Sequence, residues 1–220
     1  MAPISTPAVR EEPFYIESDG EPMGETPQHI DNMIYLLEPL KAWFAADPQV
    51  FVAANMFVHY EPGNRKRHVS PDVFVVRGVP KDMQPKRRNY RVWEEGKAPD
   101  FVVEVTSETT REKDQISKRA IYQDLLRVKE YFLFDPFEEY LHPQLQGYRL
   151  AKGLYRPIRL VKGRLPSKVL GLHLEADGDL LRLYDPAVGR WLPTPPERLE
   201  EIARLRRENE ELRRRLPGGS

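Results

Sequence analysis

The stretch at residues 100–135, DFVVEVTSETTREKDQISKRAIYQDLLRVKEYFLFD, constrains this chain more than any other. Two apolar runs rich in Val and Phe, DFVVEV and EYFLFD, read as strands. The polar segment between them carries helical spacing. Strand, helix and strand make a βαβ-like unit. One acid, Glu104, stands inside the first run. A carboxylate among Phe and Val is costly unless something pairs with it. A second acid of the same kind, Asp72, sits in SPDVFVV.

The 220 residues suit one domain with an appendage. Apolar residues, at 40%, are enough for a core, while the 31% of charged residues is high. Lysine plus arginine and aspartate plus glutamate number 34 each, so no global field draws the chain onto a polyanion. Any nucleic-acid contact must come from a local basic surface. The absence of cysteine excludes disulfides and thiolate metal sites. MAPISTPAVREEP lacks the pattern of a secretory signal, and no apolar run is long enough to cross a bilayer. The expectation is a cytoplasmic protein.

Residues 1–13 read as a flexible, proline-dotted lead, residues 14–192 as the folded domain and residues 197–216 as a separate helix. FYIESDGEPM is expected to form a short strand ending in a turn at Asp19-Gly20. Thr26 then caps a helix with Pro27 at its first position. Ile30, Met33, Ile34, Leu37, Leu40 and Phe44 mark its apolar face, and Pro39 should kink or break it. VFVAANMFVHY and VSPDVFVV form an antiparallel pair joined by EPGNRKRH. A basic loop follows at residues 77–97. Beyond the βαβ-like unit, LQGYRL, LYRPIRL and DLLRLYD suggest a meander that completes or flanks the sheet.

In the tail, Ile202, Leu205, Asn209, Leu212 and Leu216 recur at alternating spacings of three and four. That is a short a/d seam with a polar residue at an a position. Glu201 with Arg206, and Glu208 with Arg213, are g-to-e′ pairs that attract across a parallel dimer. Two heptads are marginal alone, so the globular part would have to help hold a homodimer together.

Alternation along strands puts Asp72, Phe74 and Val76 on one face, and Asp100, Val102 and Glu104 on one face. If the two strands are neighbours, Asp72 and Glu104 converge at one edge of the sheet. Two carboxylates that close do not both stay ionised without a cation, and magnesium, which takes hard oxygen ligands, fits. Lys118 shares a helical stripe with Asp114, Ile121, Tyr122 and Leu125, half of it apolar, so it need not face open water. An ammonium there would position a nucleophile or stabilise charge on a phosphate. The same spacing also permits a plain Asp114–Lys118 pair, in which Asp114 steadies the lysine. Taken singly, Asp72 reads as a turn cap after Pro71 and Glu104 as the partner of an arginine.

The segments ESDGEPM…TPQH, SPDVFVV and PDFVVEVTSETTREKDQISKRAIYQDLLRVKEYFLFDP resemble the Uma-two family of restriction endonucleases, within the PD-(D/E)XK nuclease superfamily. The resemblance extends over most of residues 14–185. It is densest where EV-T-S, D-x-x-x-K-x-x-x-Y and EY-x-x-x-DP occur in order, at residues 104–107, 114–122 and 130–136. It implies an α/β, restriction-endonuclease-like core, with an α+β mixed sheet, flanking helices and the tail as a C-terminal coiled-coil helix.

On this resemblance Asp72 and Glu104 match the first and second acids of the superfamily. With the backbone carbonyl of Val105 they would hold magnesium, manganese being a possible substitute. The lysine expected two residues after the second acid is Thr106 here, and Lys118 on the following helix stands in for it as a catalytic group. Asp114, Tyr122 and Thr106 would support these residues from behind. Glu21 resembles an additional acid near the metal, whereas His29 reads as an ordinary histidine satisfied on a helix turn. Arg87, Arg88 and Arg91 in KRRNYR, with Arg65, Lys66, Arg67 and His68, are candidates for phosphate contacts, as are Arg111 and Lys113. Tyr90 and Trp93 are candidates for stacking on bases. The implied function is metal-dependent hydrolysis of DNA phosphodiester bonds by a homodimer. A catalytically silent, dimeric DNA-associated or scaffold module on the same fold is the alternative, and an RNA or other phosphate-ester hydrolase is a third reading.

Overall fold

The computed structural model describes residues 26–82, 86–106 and 113–215, without the side chains of 113–115. The expected lead, the strand FYIESDGEPM, Glu21, Arg111, Leu216 and the side chains of Lys113 and Asp114 lie outside the described residues.

Thirteen short strands follow one another among the described residues. They are β1 (Val50–Ala54), β2 (Val58–His59), β3 (His68–Val69), β4 (Val73–Arg77), β5 (Tyr90–Arg91), β6 (Phe101–Val105) and β7 (Glu130–Phe134). Then come β8 (Leu145–Ala151), β9 (Leu154–Pro157), β10 (Leu165–Pro166), β11 (His173–Asp177), β12 (Leu180–Asp185) and β13 (Arg190–Trp191). The central sheet has six strands in the order β1-β4-β6-β7-β8-β9. Within this sheet the β6–β7 pair is the parallel one, with Phe101 opposite Glu130 and Val105 opposite Phe134. Every residue of both strands is buried, which is why they read as continuous apolar runs rather than alternating ones. The mixed sheet and the expected β1–β4 antiparallel pairing are both present.

Each face of this sheet is covered. One side packs Phe101, Val103, Phe132 and Phe134 under α1 (Pro27–Trp43) and the second sheet, β10-β11-β12-β13. The other side packs Phe74, Val102, Tyr131 and Leu133 under Tyr122 and Leu126 and the small β3-β2-β5 sheet. The crossover between β6 and β7 is helical over Lys113–Lys118 and Ile121–Leu125, wound as π-helical turns. Within β8, Gly147 lies so close to Phe132 that an added Cβ would sit 2.6 Å from its ring, so only glycine fits.

Thr26 caps α1 as expected, its Oγ1 accepting the His29 N–H at 3.2 Å. One expectation for α1 is narrowed and another corrected. Pro39 does not break it: the helix continues to Trp43, with the proline ring buried beside Leu36 and Leu40. Ile30 and Ile34 are exposed, and the buried face is Asn32, Met33, Leu36, Pro39 and Leu40. Asn32 explains the rotation. Its amide accepts the Leu181 N–H at 2.8 Å and donates to the Asp179 carbonyl at 2.9 Å, so a polar residue occupies the core stripe by stitching the helix to the β11–β12 hairpin.

The expected meander divides. LQGYRL and LYRPIRL extend the central sheet as β8 and β9, whereas DLLRLYD, as β12, belongs to the second sheet. Glu130 on β7 fastens the two together. Its carboxylate accepts from the Ser167 hydroxyl at 2.5 Å, the N–H groups of Lys168 and Val169 at 3.0 and 3.2 Å, and Arg149 Nε at 2.8 Å. A single turn, α2 (Val92–Glu95), follows β5, and the tail helix, α3 (Pro195–Arg215), starts two residues earlier than expected. A capping box sets that start: the Thr194 N–H donates to Glu197 Oε2 at 2.8 Å, and the Glu197 N–H donates to Thr194 Oγ1 at 3.4 Å. Among the described residues no helix is long and apolar enough to cross a membrane.

Candidate active site

Asp72 immediately precedes β4 and Glu104 is the penultimate residue of β6. The two strands run antiparallel with Val73 opposite Val103, so β4 begins where β6 ends. The acids therefore meet at one end of the sheet, and each is held by the other's strand. The Val105 N–H donates to Asp72 Oδ2 at 2.7 Å, and the Asp72 N–H points at Glu104 Oε2 from 3.4 Å.

Glu104 is fully buried and its charge is met from the crossover helix. Lys118 Nζ lies 2.9 Å from Oε2, and the Tyr122 hydroxyl donates to Oε1 at 2.6 Å. Lys118 and Tyr122 are four residues apart, which places both over the same strand. The lysine is 14% exposed and also donates to the Ser70 carbonyl at 3.3 Å. Burial, reinforced by the adjacent Glu104 charge, pushes the Tyr122 phenol well above its ordinary value. Tyr122 thus stays protonated and remains a donor. The π-helical winding of this segment is a form often found at functional sites.

His29 belongs to the cluster, contrary to its reading as an ordinary helix-turn histidine. Its Nε2 lies 3.3 Å from Asp72 Oδ1. The Thr26 cap fixes the first turn of α1 over this end of the sheet, and His29 is the residue whose backbone the cap binds. The sequence signals were its place three residues after that cap and within the TPQH segment that carries the family resemblance. Thr106, at the position of the missing lysine, is buried and its hydroxyl meets that of Tyr140.

The basic loop is corrected in part. Arg87 is not a surface group. It is 5% exposed, clamps Glu95 through Nε at 2.6 Å and Nη2 at 2.9 Å, and lies 4.4 Å over the Phe51 ring. Tyr90 is buried, with its hydroxyl donating to the Lys97 carbonyl at 2.7 Å, so it does not offer a face to a base. Arg91 Nη1 pairs with Glu94 at 2.6 Å. Arg65, Lys66, Arg67 and Arg88 are exposed, Arg67 pairing with Glu61 at 2.9 Å.

Among the described residues no three His, Asp or Glu side chains are gathered into a complete metal cage. Two carboxylates with water in the remaining positions is nevertheless the usual set for magnesium, which binds through one or two carboxylates and keeps several waters.

A mixed sheet flanked by helices is a restriction-endonuclease-like architecture, and here it brings two acids together at one sheet end with a lysine reaching in from the crossover helix. The chain belongs to the Uma2 family, described as "Putative restriction endonuclease", which matches residues 9–180. Its fold is similar to that of a solved structure described as "a putative nuclease belonging to DUF820 from Anabaena variabilis". That match has a TM-score of 0.50 and 13% identity, and covers 70% of this chain and 81% of the other. No curated protein matches.

Proposed function

We propose that this member of a nuclease family is a metal-dependent endonuclease that hydrolyses DNA phosphodiester bonds. The observation that carries the reading is the meeting of Asp72, Glu104 and Lys118 at one end of the central sheet. The donor set fits a divalent ion: two carboxylates brought together at one sheet end supply the hard oxygen ligands such an ion takes. Asp72, Glu104 and the Val105 carbonyl would hold magnesium, or manganese in its place, with Glu21 as a further acid.

Bound there, the ion would supply Lewis-acid charge to the phosphate and make a nucleophilic water easier to deprotonate. The chain's own residues do the rest. Lys118, pinned between Glu104 and the Ser70 carbonyl, directs its ammonium toward phosphate oxygens and orients the attacking water. The Val105 N–H holds Asp72 Oδ2, His29 Nε2 stands 3.3 Å from Oδ1, and Tyr122 fixes one oxygen of Glu104. The buried setting lowers solvent screening, so each of these charges acts more strongly than it would in water. Arg65, Lys66 and Arg88 are exposed and are candidates for contacts with a DNA backbone.

Conversion of supercoiled plasmid to nicked circles tests the reading. Nicking is expected with magnesium or manganese, to stop with chelator, and to be absent in Asp72→Ala and Glu104→Gln. Parental nicking by a folded Asp72→Ala protein would overturn it.

A further inference from the structure

We infer that α3 pairs in parallel and in register with α3 of a second copy of this chain. No side chain of α3 is buried. Its apolar seam stands in solvent, with Ile202 39%, Leu205 51% and Leu212 60% exposed. The intrahelical ion pairs along it are long, at 3.9 Å for Arg204–Glu201 and 3.8 Å for both Arg204–Glu208 and Arg215–Glu211. Exposed pairs of this kind contribute little each. They are weak support for a highly charged helix of 21 residues.

The charges beside the seam specify what covers it. With Ile202 and Asn209 at a and Leu205 and Leu212 at d, Glu201 and Glu208 fall at g, and Arg206 and Arg213 fall at e. In a parallel pair each g glutamate faces an e′ arginine five residues further along the partner, and all four contacts attract. In an antiparallel pair g faces g′ and e faces e′, so glutamate opposes glutamate and arginine opposes arginine. The seam thus carries its own discrimination between orientations. Asn209 adds to it, because only the parallel, in-register pair sets amide against amide instead of against leucine. Two cores would then leave the stalk at the same end.

Light scattering on the full-length protein tests this without reference to cleavage. A mass of twice the 25.7 kDa chain is expected. Arg206→Glu with Arg213→Glu should give a monomer with an unchanged core melting temperature. Mixing it with the complementary Glu201→Lys, Glu208→Lys protein should restore a dimer. Orientation is read from Leu212→Cys: the chain has no cysteine, and a parallel d position brings the two introduced thiols together for oxidation to a covalent dimer. A monomeric parent, a dimer that survives the arginine reversal, mixed reversals that stay monomeric, or a Leu212→Cys protein that does not cross-link would each overturn the inference.

Discussion

The backbone N–H of Val105 donates to Asp72 Oδ2 at 2.7 Å, so the first acid is anchored by the residue next to the second. The bond fixes the spacing of the acid pair through backbone geometry rather than side-chain packing. Asp72→Asn keeps an acceptor for that N–H but removes the charge. It should unfold within about 1 kcal/mol of the parent while losing plasmid nicking. Urea titration and a nicking time course on the same preparation check both halves.

Lys118 and Tyr122 both support buried Glu104, but unequally. Lys118→Ala leaves a buried carboxylate without its cation and should cost about 3–5 kcal/mol. Tyr122→Phe removes one hydrogen bond to the same group and should cost about 1–3 kcal/mol. Denaturant midpoints should therefore rank parent, then Tyr122→Phe, then Lys118→Ala. Equal midpoints would mean that Glu104 does not depend on these groups.

His29→Ala should leave α1 intact, since the Thr26 cap uses the His29 backbone and not its ring. Loss of the ring contact to Asp72 Oδ1 should weaken manganese affinity and nicking by about 10–100-fold, the usual effect of removing a partner behind a metal ligand. Calorimetric titration with manganese, with circular dichroism as the folding control, reads this directly.

Arg87→Ala should act on stability and not on DNA affinity. It abandons Glu95 and uncovers Phe51, for an expected loss of about 3–5 kcal/mol. Arg87→Lys should recover little of it, because an ammonium does not reproduce the two-pronged contact. Thermal melts of the two variants and fluorescence anisotropy with a labelled duplex, below the melting transition, separate the effects.

Asp100, at the far end of β6, gives a pH dependence of definite sign. Burial raises its carboxyl, but Lys129, the Arg77 N–H and Lys97 outweigh that and hold it below the ordinary value. A depressed folded-state value stabilises the protein above the unfolded pKa of about 4, and the stabilisation is lost as pH falls through the folded value. Asp100→Asn should therefore be less stable than the parent at neutral pH, with the gap closing as acid is added. A gap that is constant or widens in acid would contradict the assignment.

How far the site was legible follows from which contacts are local. Val103 and Val105 alternate with Glu104, so the face of the acid was readable, and Lys118 and Tyr122 are one helical turn apart in the following segment. The acid pair needed one added assumption, that the two strands are neighbours, and the Val73–Val103 pairing supplies it. Contacts between distant segments left no pattern. His29 reaches Asp72 only because α1 starts over that end of the sheet. Arg87 looked like a solvated cation because its partners are the ring of Phe51 and a carboxylate on the later turn Val92–Glu95. Asn32 broke the apolar periodicity of α1 with a polar residue whose partners are Asp179 and Leu181. In the second sheet, HLEAD carries two acids and gave no apolar strand pattern, yet it forms β11.

Glu130 bears on how the protein can be dissected. It lies in the strand next to the one bearing Glu104, and its donors Ser167, Lys168 and Val169 arrive from beyond the last strand of the central sheet. A fragment stopped at residue 158 would keep every proposed ligand and yet strand an anion in its interior, facing Arg149 alone. The shortest piece of the chain able to hold the proposed site would therefore have to extend through the loop bearing Ser167, making that outlying loop a structural keystone of a sheet end it never touches.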